Sequence, residues 1–287
     1  MKQQIVSGWD DYQLLDFGNG RKLERFGDVV VDRPEVNAVR KPYRQAREWQ
    51  SLTQAKFIGE TGKKGIWQGI QPKDWRMKFN IQNHSFLAHL ELSPFKHLGV
   101  FPEQMENWQF LAEKIQRAPN NPRVLNLFAY TGLASLVSSH FGAEVTHVES
   151  IKSTMNWAAS NAKLNQITQI RWCLEDAFTF LAREVKRGKQ YEGIIMDPPA
   201  FGIAAKGKRW KLEEQWPELL ANAVKILNPD RFFLVLNTYS PKVDAEELRL
   251  FLTNAFKGIK PQSTELCIQS EDGGILKTGE LHRISSI

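Results

Sequence analysis

Apolar and polar positions alternate with two different periods along this chain, and the change of period divides it into segments. Between positions 12 and 92, short apolar runs stop at turn residues, which is typical of β-strands. From 103 to 117, apolar residues recur at helical spacing after Pro102, a residue tolerated in the first turn of a helix. We predict a mostly β companion domain over 1–92, a connecting helix within 93–122 and a third segment over 123–287.

The third segment alternates between strand-like and helix-like runs. Strands are predicted at 123–128, 144–148, 169–173, 193–196 and 232–236, and helices at 133–141, 152–164, 177–186, 213–226 and 245–256. Single helices between strands indicate right-handed crossovers and a parallel sheet covered on both faces. Two late strand candidates, 264–269 and 281–284, predict a terminal hairpin. The expected fold class is α/β, with a smaller mostly β N-terminal domain.

Composition and charge exclude several classes of protein. Hydrophobic residues make up 42% and charged residues 24% of the chain, and no window approaches the ~18 apolar residues that a bilayer span needs. Residues 1–16 lack the apolar core of a signal peptide, so we expect a cytoplasmic protein without a membrane partner. Cys173 and Cys267 have neither disulfide-framework nor metal-ligand spacing, so no metal is expected. The net charge of +6 is compatible with a polyanionic partner.

Three strand ends carry residues suited to a nucleoside-type cofactor. Residues 128–132 (Phe-Ala-Tyr-Thr-Gly) link the first strand to a helix, but they lack the glycine fingerprint that accommodates a pyrophosphate. Glu149 closes the second strand and can accept hydrogen bonds from both hydroxyls of a ribose. Asp176, after the third strand, can accept from an adenine amino group. The alternatives are a simple turn, an exposed strand end for Glu149 and, in addition to cofactor binding, a helix N-cap for Asp176.

The fourth strand ends in a stiff turn, Asp197-Pro198-Pro199-Ala200-Phe201. Its carbonyl oxygens could hold an amino or ring nitrogen while Phe201 stacks on a planar base; the alternative is a rigid loop with a buried Phe201. Residues 206–211 (Lys-Gly-Lys-Arg-Trp-Lys) then place four cations around an indole. This segment could bind phosphate while Trp210 stacks on a base, or be a charged loop with Trp210 packed inward. A second basic segment, 40–47, could extend the charged surface or simply be solvated.

Taken together, these motifs resemble the class I methyltransferase family that includes bacterial large-subunit ribosomal RNA methyltransferases acting on cytosine C5 or guanine N7. The residues that carry the resemblance are Gly99-Val100-Phe101-Pro102-Glu103-Gln104, Phe128-Ala129-Tyr130-Thr131-Gly132, Glu149, Glu175-Asp176-Ala177 and Asp197-Pro198-Pro199-Ala200-Phe201. The resemblance covers about residue 95 to the C-terminus and implies a Rossmann-like, seven-stranded sheet whose last pair is a reversed hairpin. It also implies S-adenosylmethionine as cofactor.

The resemblance and the motifs together give a set of expected site residues. The cofactor-binding set is Phe101, Gln104, Phe128, Tyr130, Thr131, Gly132, Glu149, Asp176, Ala177 and Asp197. The catalytic set is Asp197, Pro198 and Phe201, and the substrate-binding set is Lys206, Lys208, Arg209, Trp210 and Tyr239. By resemblance, the segment around Phe101 and Gln104 would cover the site from the N-terminal side.

One departure from the family bears on the substrate. The cytosine-C5 members resemble one another in a cysteine nucleophile near the end of the fifth strand, where this chain has Asn237-Thr238-Tyr239-Ser240. We therefore expect methylation of a base nitrogen in RNA, with ribosomal RNA favoured, because a nitrogen lone pair needs only positioning. The alternatives are a methyltransferase for a small molecule or protein side chain, a nicotinamide-dependent oxidoreductase, or a non-catalytic binding domain of the same fold.

Overall fold

The computed structural model describes residues 1–60, 62–118, 121–203, 209–240 and 242–287. Within these ranges the chain forms two compact units. The α/β unit comprises Met1–Gln3, Asn107–Glu265 and Gly279–Ile287, and the β unit comprises Gln4–Glu106 and Leu266–Thr278. The first long stretch of the α/β unit thus begins inside the predicted connecting segment, and the β unit includes a stretch from the far end of the chain.

Short strands build the β unit, as the sequence predicts. The N-terminal elements are β1 (Lys2–Ile5), β2 (Tyr12–Gly18), β3 (Arg21–Phe26), β4 (Val29–Pro34), α1 (Ala46–Leu52), β5 (Ala55–Ile58), β6 (Ile66–Gly69), β7 (Arg76–Ile81) and β8 (His84–His89). Strands β2 to β6 form one sheet in chain order, and β7 pairs with β8. The side chains of Phe26, Phe57, Phe79 and Phe86 are almost fully buried. Aromatic packing therefore supplies much of the core of this unit.

Charged side chains are also buried in the β unit. Glu24 accepts hydrogen bonds from Arg33 Nε (2.5 Å), Arg33 Nη2 (3.0 Å) and the Tyr12 hydroxyl (3.0 Å). Burial by itself would raise the pKa of Glu24, but the neighbouring Arg33 and Lys22 hold that pKa at about 2. Glu24 is therefore a carboxylate that depends on its cationic partners.

Part of the basic segment 40–47 is engaged in ion pairs rather than free to bind an anion. Arg40 donates to Asp272 through Nη1 (2.6 Å) and Nη2 (2.7 Å), and to Asp16 (3.0 Å). Arg44 pairs with Glu48 and Glu271. These contacts attach the segment to the stretch Leu266–Thr278, which belongs to the same unit.

The α/β unit is a twisted sheet with helices between its strands. Before and within it the chain forms a 3₁₀ turn (Pro102–Gln104), α2 (Met105–Arg117), β9 (Arg123–Leu127), α3 (Leu133–His140), β10 (Glu144–Glu149), α4 (Lys152–Leu164), β11 (Ile170–Leu174), α5 (Ala177–Lys186), β12 (Gly193–Met196), β13 (Phe201–Ile203), β14 (Arg209–Lys211), α6 (Leu212–Ile226), β15 (Phe233–Thr238), α7 (Ala245–Ala255), β16 (Gln262–Gln269) and β17 (Ile275–Ser285). The sheet order is β1-β16-β17-β15-β12-β9-β10-β11. Strands β9, β10, β11, β12 and β15 are parallel, and β17 runs antiparallel to β15.

This topology confirms the predicted fold class, including the C-terminal antiparallel hairpin. Three features were not predicted: β1 adds an eighth strand, β17 is much longer than 281–284, and β13 pairs with β14. Apolar side chains on one face of the central strands pack with α5, α6 and α7 into a single core. In the described ranges, no helix is both long and apolar enough to cross a membrane.

Candidate cofactor-binding and active site

The carboxyl ends of five parallel strands meet at one edge of the sheet. The register pairs Leu127 with Val148, Met196 with Leu127, and Leu236 with Met196, so the residues that follow these strands are neighbours along the edge. The strand order reverses between β9 and β12, and α/β sheets bind ligands in the crevice at such a switch point.

The turn after β9 has an unusual backbone. Phe128 and Tyr130 adopt φ values of 56° and 49°, the left-handed region that non-glycine residues rarely occupy, and Gly132 follows at 83°. The turn is held by hydrogen bonds from Ala129 N to Val148 O (3.1 Å) and from Gly132 N to Ala129 O (3.0 Å). Such strain persists only where the surroundings fix it, and it is common at binding sites.

Gly132 has a packing role in this turn. A Cβ added there would lie 3.0 Å from Ala158 Cβ in α4 and 3.4 Å from the His147 ring. Together with its positive φ, this contact requires glycine at the start of α3. The cofactor-binding role expected for Gly132 from the sequence stays a prediction beside this packing role.

Glu149, at the end of β10, is the best-positioned carboxylate of the site. It is 8% exposed and accepts hydrogen bonds from Tyr130 N (3.1 Å, Oε2) and Ile151 N (2.8 Å, Oε1). Burial raises its pKa, and the backbone donors oppose that shift only in part. The Ser150 hydroxyl also donates to Oε1 (3.4 Å), so Oε2, which receives Tyr130 N, has the greater capacity to accept a further donor.

Asp176, after β11, caps α5. Its Oδ1 accepts from Thr179 N (2.9 Å) and from Thr179 Oγ1 (3.0 Å), which confirms the predicted N-cap. Both hydrogen bonds are made to Oδ1, so Oδ2 can still accept a hydrogen bond from a ligand. The end of β11 lies beside that of β10, with Glu175 N donating to Glu149 O (3.0 Å).

The turn after β12 leads into the small β13–β14 sheet. Asp197 is half-buried, Pro198 is buried, and Phe201 is 66% exposed rather than buried. Trp210, in contrast, is only 6% exposed. The centre of its ring lies 5.6 Å from the ring centre of Phe128 and 5.2 Å from that of Phe178. This burial disfavours the expectation that Trp210 stacks on a base, because its faces already contact the core. Phe201 is the aromatic ring of this turn that offers a free face.

The remaining predicted site residues are placed as follows. Thr131 and Ala177 are buried, and the Thr131 carbonyl accepts from Asn161 (2.9 Å). The half-buried Tyr239 ring lies against Gly279 of β17. Arg209 starts β14, while Lys206 and Lys208 lie outside the described residues. Phe101 and Gln104 belong to the β unit, so their role in covering the cofactor stays a prediction.

Sequence reasoning missed a second group of polar residues. Asn107 in α2, Asn237 in β15 and Arg283 in β17 are linked by hydrogen bonds although they are far apart in sequence. Asn237, the penultimate residue of β15, begins the stretch Asn237-Thr238-Tyr239-Ser240, which corresponds by resemblance to the place of the cysteine nucleophile in the cytosine-C5 enzymes. No local motif reveals such a group, because its members meet only through the pairing of β15 with β17 and the contact of α2 with both strands.

The chemistry of this edge fits S-adenosylmethionine better than a dinucleotide. Three carboxylates, Glu149, Asp176 and Asp197, stand at the carboxyl ends of β10, β11 and β12, and the turn 128–132, which follows β9 between β12 and β10, contains no cation. Carboxylates repel a pyrophosphate but attract a sulfonium or ammonium cation, and they accept hydrogen bonds from hydroxyl and amino groups. Glu149 and Asp176 would hold the adenosyl part, near the turn after β9.

Comparisons with known proteins agree with this chemistry. No protein-family model matches the chain. It is similar to ribosomal RNA large subunit methyltransferase K/L of Colwellia psychrerythraea (27% identity over 60% of this chain and 24% of the relative). It is also similar to ribosomal RNA large subunit methyltransferase I of Salmonella arizonae (30% identity over 82% of this chain and 53% of the relative). The chain thus spans between a quarter and about half of the length of these two curated relatives.

A solved structure matches along nearly its whole length. The crystal structure of a SAM-dependent methyltransferase from Agrobacterium tumefaciens has a TM-score of 0.90 and 35% identity, covering 100% of this chain and 94% of that one. This match overturns the alternative of a nicotinamide-dependent oxidoreductase. The chain belongs to the class I S-adenosylmethionine-dependent methyltransferases.

Proposed function

We propose that this protein transfers a methyl group from S-adenosylmethionine to a base nitrogen in RNA, with ribosomal RNA as the favoured substrate. The observation that carries the proposal is that Glu149, Asp176 and Asp197 all stand at the carboxyl ends of strands of one sheet, and that the exposed Phe201 follows Asp197 by four residues. The names of the relatives support RNA as the substrate class. A cytoplasmic location, where ribosomal RNA is found in bacteria, is part of the same proposal.

The cofactor would lie across the ends of β9, β10 and β11. Glu149, fixed by two backbone N–H groups, would accept hydrogen bonds from the ribose hydroxyls, and Asp176 would accept one from the adenine amino group. When bound, S-adenosylmethionine supplies an electrophilic methyl group on a sulfonium centre. The protein contributes a fixed position for that group and exclusion of water.

The acceptor base would lie at the end of β12. Pro198 and Pro199 have no backbone N–H, which makes the turn stiff, and a carbonyl oxygen of this turn could accept a hydrogen bond from an amino or ring nitrogen of the base. Phe201 would stack on the base. The role of the protein is then to place a nitrogen lone pair against the methyl group.

The positions of the cysteines favour nitrogen over cytosine C5 as the target atom. Cytosine C5 needs covalent activation by a thiolate. Cys173 lies in β11, where burial raises its pKa, and Cys267 is buried in β16. Neither is at the end of β15, the strand next to the Asp197 turn.

Nucleoside analysis tests the proposed function. Ribosomal RNA from cells with and without the gene is digested and compared by mass spectrometry, and the deletion strain is complemented with wild type, Asp197→Ala or the exposed control Asp230→Ala. We expect one methylated nucleoside to disappear on deletion and to return with wild type and Asp230→Ala, but not with Asp197→Ala. An identical nucleoside profile in both strains would refute RNA as the substrate and favour a small-molecule or protein acceptor.

A further inference from the structure

The end of β15 carries a buried amide that the proposed mechanism does not use. Asn237 is 1% exposed, and its Oδ1 accepts a hydrogen bond from Asn107 Nδ2 (2.7 Å). Its Nδ2 finds no acceptor among the residues that the structure describes. A buried donor without a partner is unfavourable in a folded protein unless a ligand or water completes it.

The orientation of this amide is dictated by its neighbours. Arg283 donates to Asn107 Oδ1 from Nε (3.1 Å) and Nη2 (2.7 Å), and an arginine can only donate. Asn107 must therefore turn its Nδ2 towards Asn237 and find an acceptor there. Asn237 in turn must present Oδ1 to Asn107 and leave Nδ2 on the other side, because the reverse orientation would oppose two donors.

The group that sets this orientation is firmly held. Asn107 is 0% exposed, and the Arg283 guanidinium lies 4.6 Å from the centre of the Phe110 ring. Phe110 itself packs edge-on against Phe233 of β15, at 6.3 Å between ring centres. These contacts join α2, β15 and β17 within the α/β unit, so the amide of Asn237 is preorganised before any ligand arrives.

The strand order indicates which ligand this donor meets. Asn237 follows Leu236, the register partner of Met196, so it lies next to Asp197 along the edge. Glu149 and the residues that follow β11 lie on the opposite side of β12 and β9. At about 4.8 Å per strand, Asn237 is about 14 Å along the edge from Glu149, beyond the proposed position of the adenosine.

From this geometry we infer that Asn237 is a specificity-determining residue, whose Nδ2 donates a hydrogen bond to an acceptor atom of the methyl-accepting group, and that Asn107 and Arg283 are the positioning residues. On a nucleobase, the acceptor atom is a carbonyl oxygen or an unprotonated ring nitrogen. The inference rests on the proposed function and adds the feature by which the site distinguishes its acceptor. A base that presents an N–H at this position would be rejected, because two donors would face each other.

Two near-isosteric variants test the donor and its positioning separately. Asn237→Asp keeps the acceptor for Asn107 and removes the donor. Asn107→Asp keeps the acceptor for Arg283 but turns a carboxylate oxygen towards Asn237, whose amide should then rotate and present Oδ1 to the ligand. The exposed Asn254→Asp in α7 makes the same chemical change away from the edge and serves as control.

Two measurements are made on the full chain: the Kd of S-adenosylhomocysteine by calorimetry, and kcat/KM for transfer to ribosomal RNA from the deletion strain. We expect Asn237→Asp and Asn107→Asp each to lower kcat/KM by about tenfold or more, with the Kd within about threefold of wild type. Asn254→Asp should change neither. An unchanged kcat/KM in either Asn237→Asp or Asn107→Asp overturns the inference. So does a loss of cofactor affinity as large as the loss of kcat/KM, because a merely structural role would lower both together.

A crystal structure with S-adenosylhomocysteine supplies an outcome that needs no acceptor. We expect Nδ2 of Asn237 to face the space on the acceptor side of the sulfur atom. A hydrogen bond from Nδ2 to the cofactor, to another protein group or to a water sealed within the protein would overturn the inference. If wild type methylates no ribosomal RNA, the proposed substrate is wrong, and this structure still decides the orientation of Asn237.

Discussion

Replacing Glu149 with glutamine is the sharpest test of the cofactor site. The carboxylate sits between two backbone donors, Tyr130 N at 3.1 Å and Ile151 N at 2.8 Å. A glutamine of the same size would have to turn its NH₂ group towards one of them. It would also offer the ribose hydroxyls a neutral oxygen and a donor in place of two charged acceptors.

The loss can be estimated from the bonds involved. Hydrogen bonds to charged groups contribute about 1.5–3 kcal/mol each, and the variant keeps part of this interaction. A net loss of about 2–4 kcal/mol corresponds to a Kd for S-adenosylmethionine about 30- to 700-fold weaker. Isothermal titration calorimetry at neutral pH measures this directly.

A control variant on the same strand distinguishes loss of cofactor binding from general damage to the sheet. Glu144 is exposed and begins β10, whereas Glu149 ends it, so Glu144→Gln should leave the Kd unchanged. Circular dichroism must show both variants folded. A Kd for Glu149→Gln within about threefold of wild type would refute the assignment of Glu149 to the cofactor.

Three further predictions concern stability and the acceptor. Gly132→Ala combines a φ of 83° with a 3.0 Å contact to α4, and should lower the free energy of unfolding by more than about 1 kcal/mol in urea titrations. Glu24→Gln should cost about 3–5 kcal/mol at pH 7 by leaving the Arg33 charge buried alone. Because the pKa of Glu24 in the folded protein is about 2, below its ordinary value of 4.5, its contribution to the free energy of unfolding is complete above pH 4.5 and is lost as the pH falls towards 2. If the difference in unfolding free energy between Glu24→Gln and wild type does not shrink in acid, this pH dependence is wrong. Trp210→Ala should lower the free energy of unfolding by about 3–5 kcal/mol and with it the melting temperature, because the ring is buried. Phe201→Ala should leave the melting temperature unchanged and reduce turnover of RNA, because that ring is exposed. The reverse pattern would contradict both assigned roles.

The succession of strands and helices in the α/β unit could be predicted because its signals are local, whereas the binding of a cofactor by the residues at the strand ends stays a prediction. Apolar runs separated by single helical runs define a parallel sheet, and such a sheet brings the residues after its strands to one edge. Asp176 illustrates how complete a local signal can be, since its predicted N-cap bond to Thr179 is present. The sequence also singled out Gly132 in the turn after the first strand of this unit, but it did not reveal the close contact with Ala158 that requires a glycine there.

The features that were missed depend on contacts between distant positions. Trp210 stands among cations in the sequence, yet it is buried because Phe128 and Phe178 surround its ring. Asn107 and Asn237 are 130 positions apart, and only the packing of α2 against β15 brings their amide groups to 2.7 Å. A periodicity analysis weighs neighbours along the chain, so it cannot detect a bond of this kind.

The hairpin tip that belongs to the β unit has a consequence for biosynthesis. Leu266–Thr278 supplies Asp272 and Glu271 to Arg40 and Arg44, and all of these residues belong to one unit. On the ribosome, residues 4–106 are made before residues 266–278, so Arg40 and Arg44 lack those partners until the tip of the hairpin leaves the exit tunnel. Residues 4–106 therefore acquire these partners only after residues 266–278 have been made, and a fragment ending before residue 266 would lack these ion pairs however long it was allowed to fold.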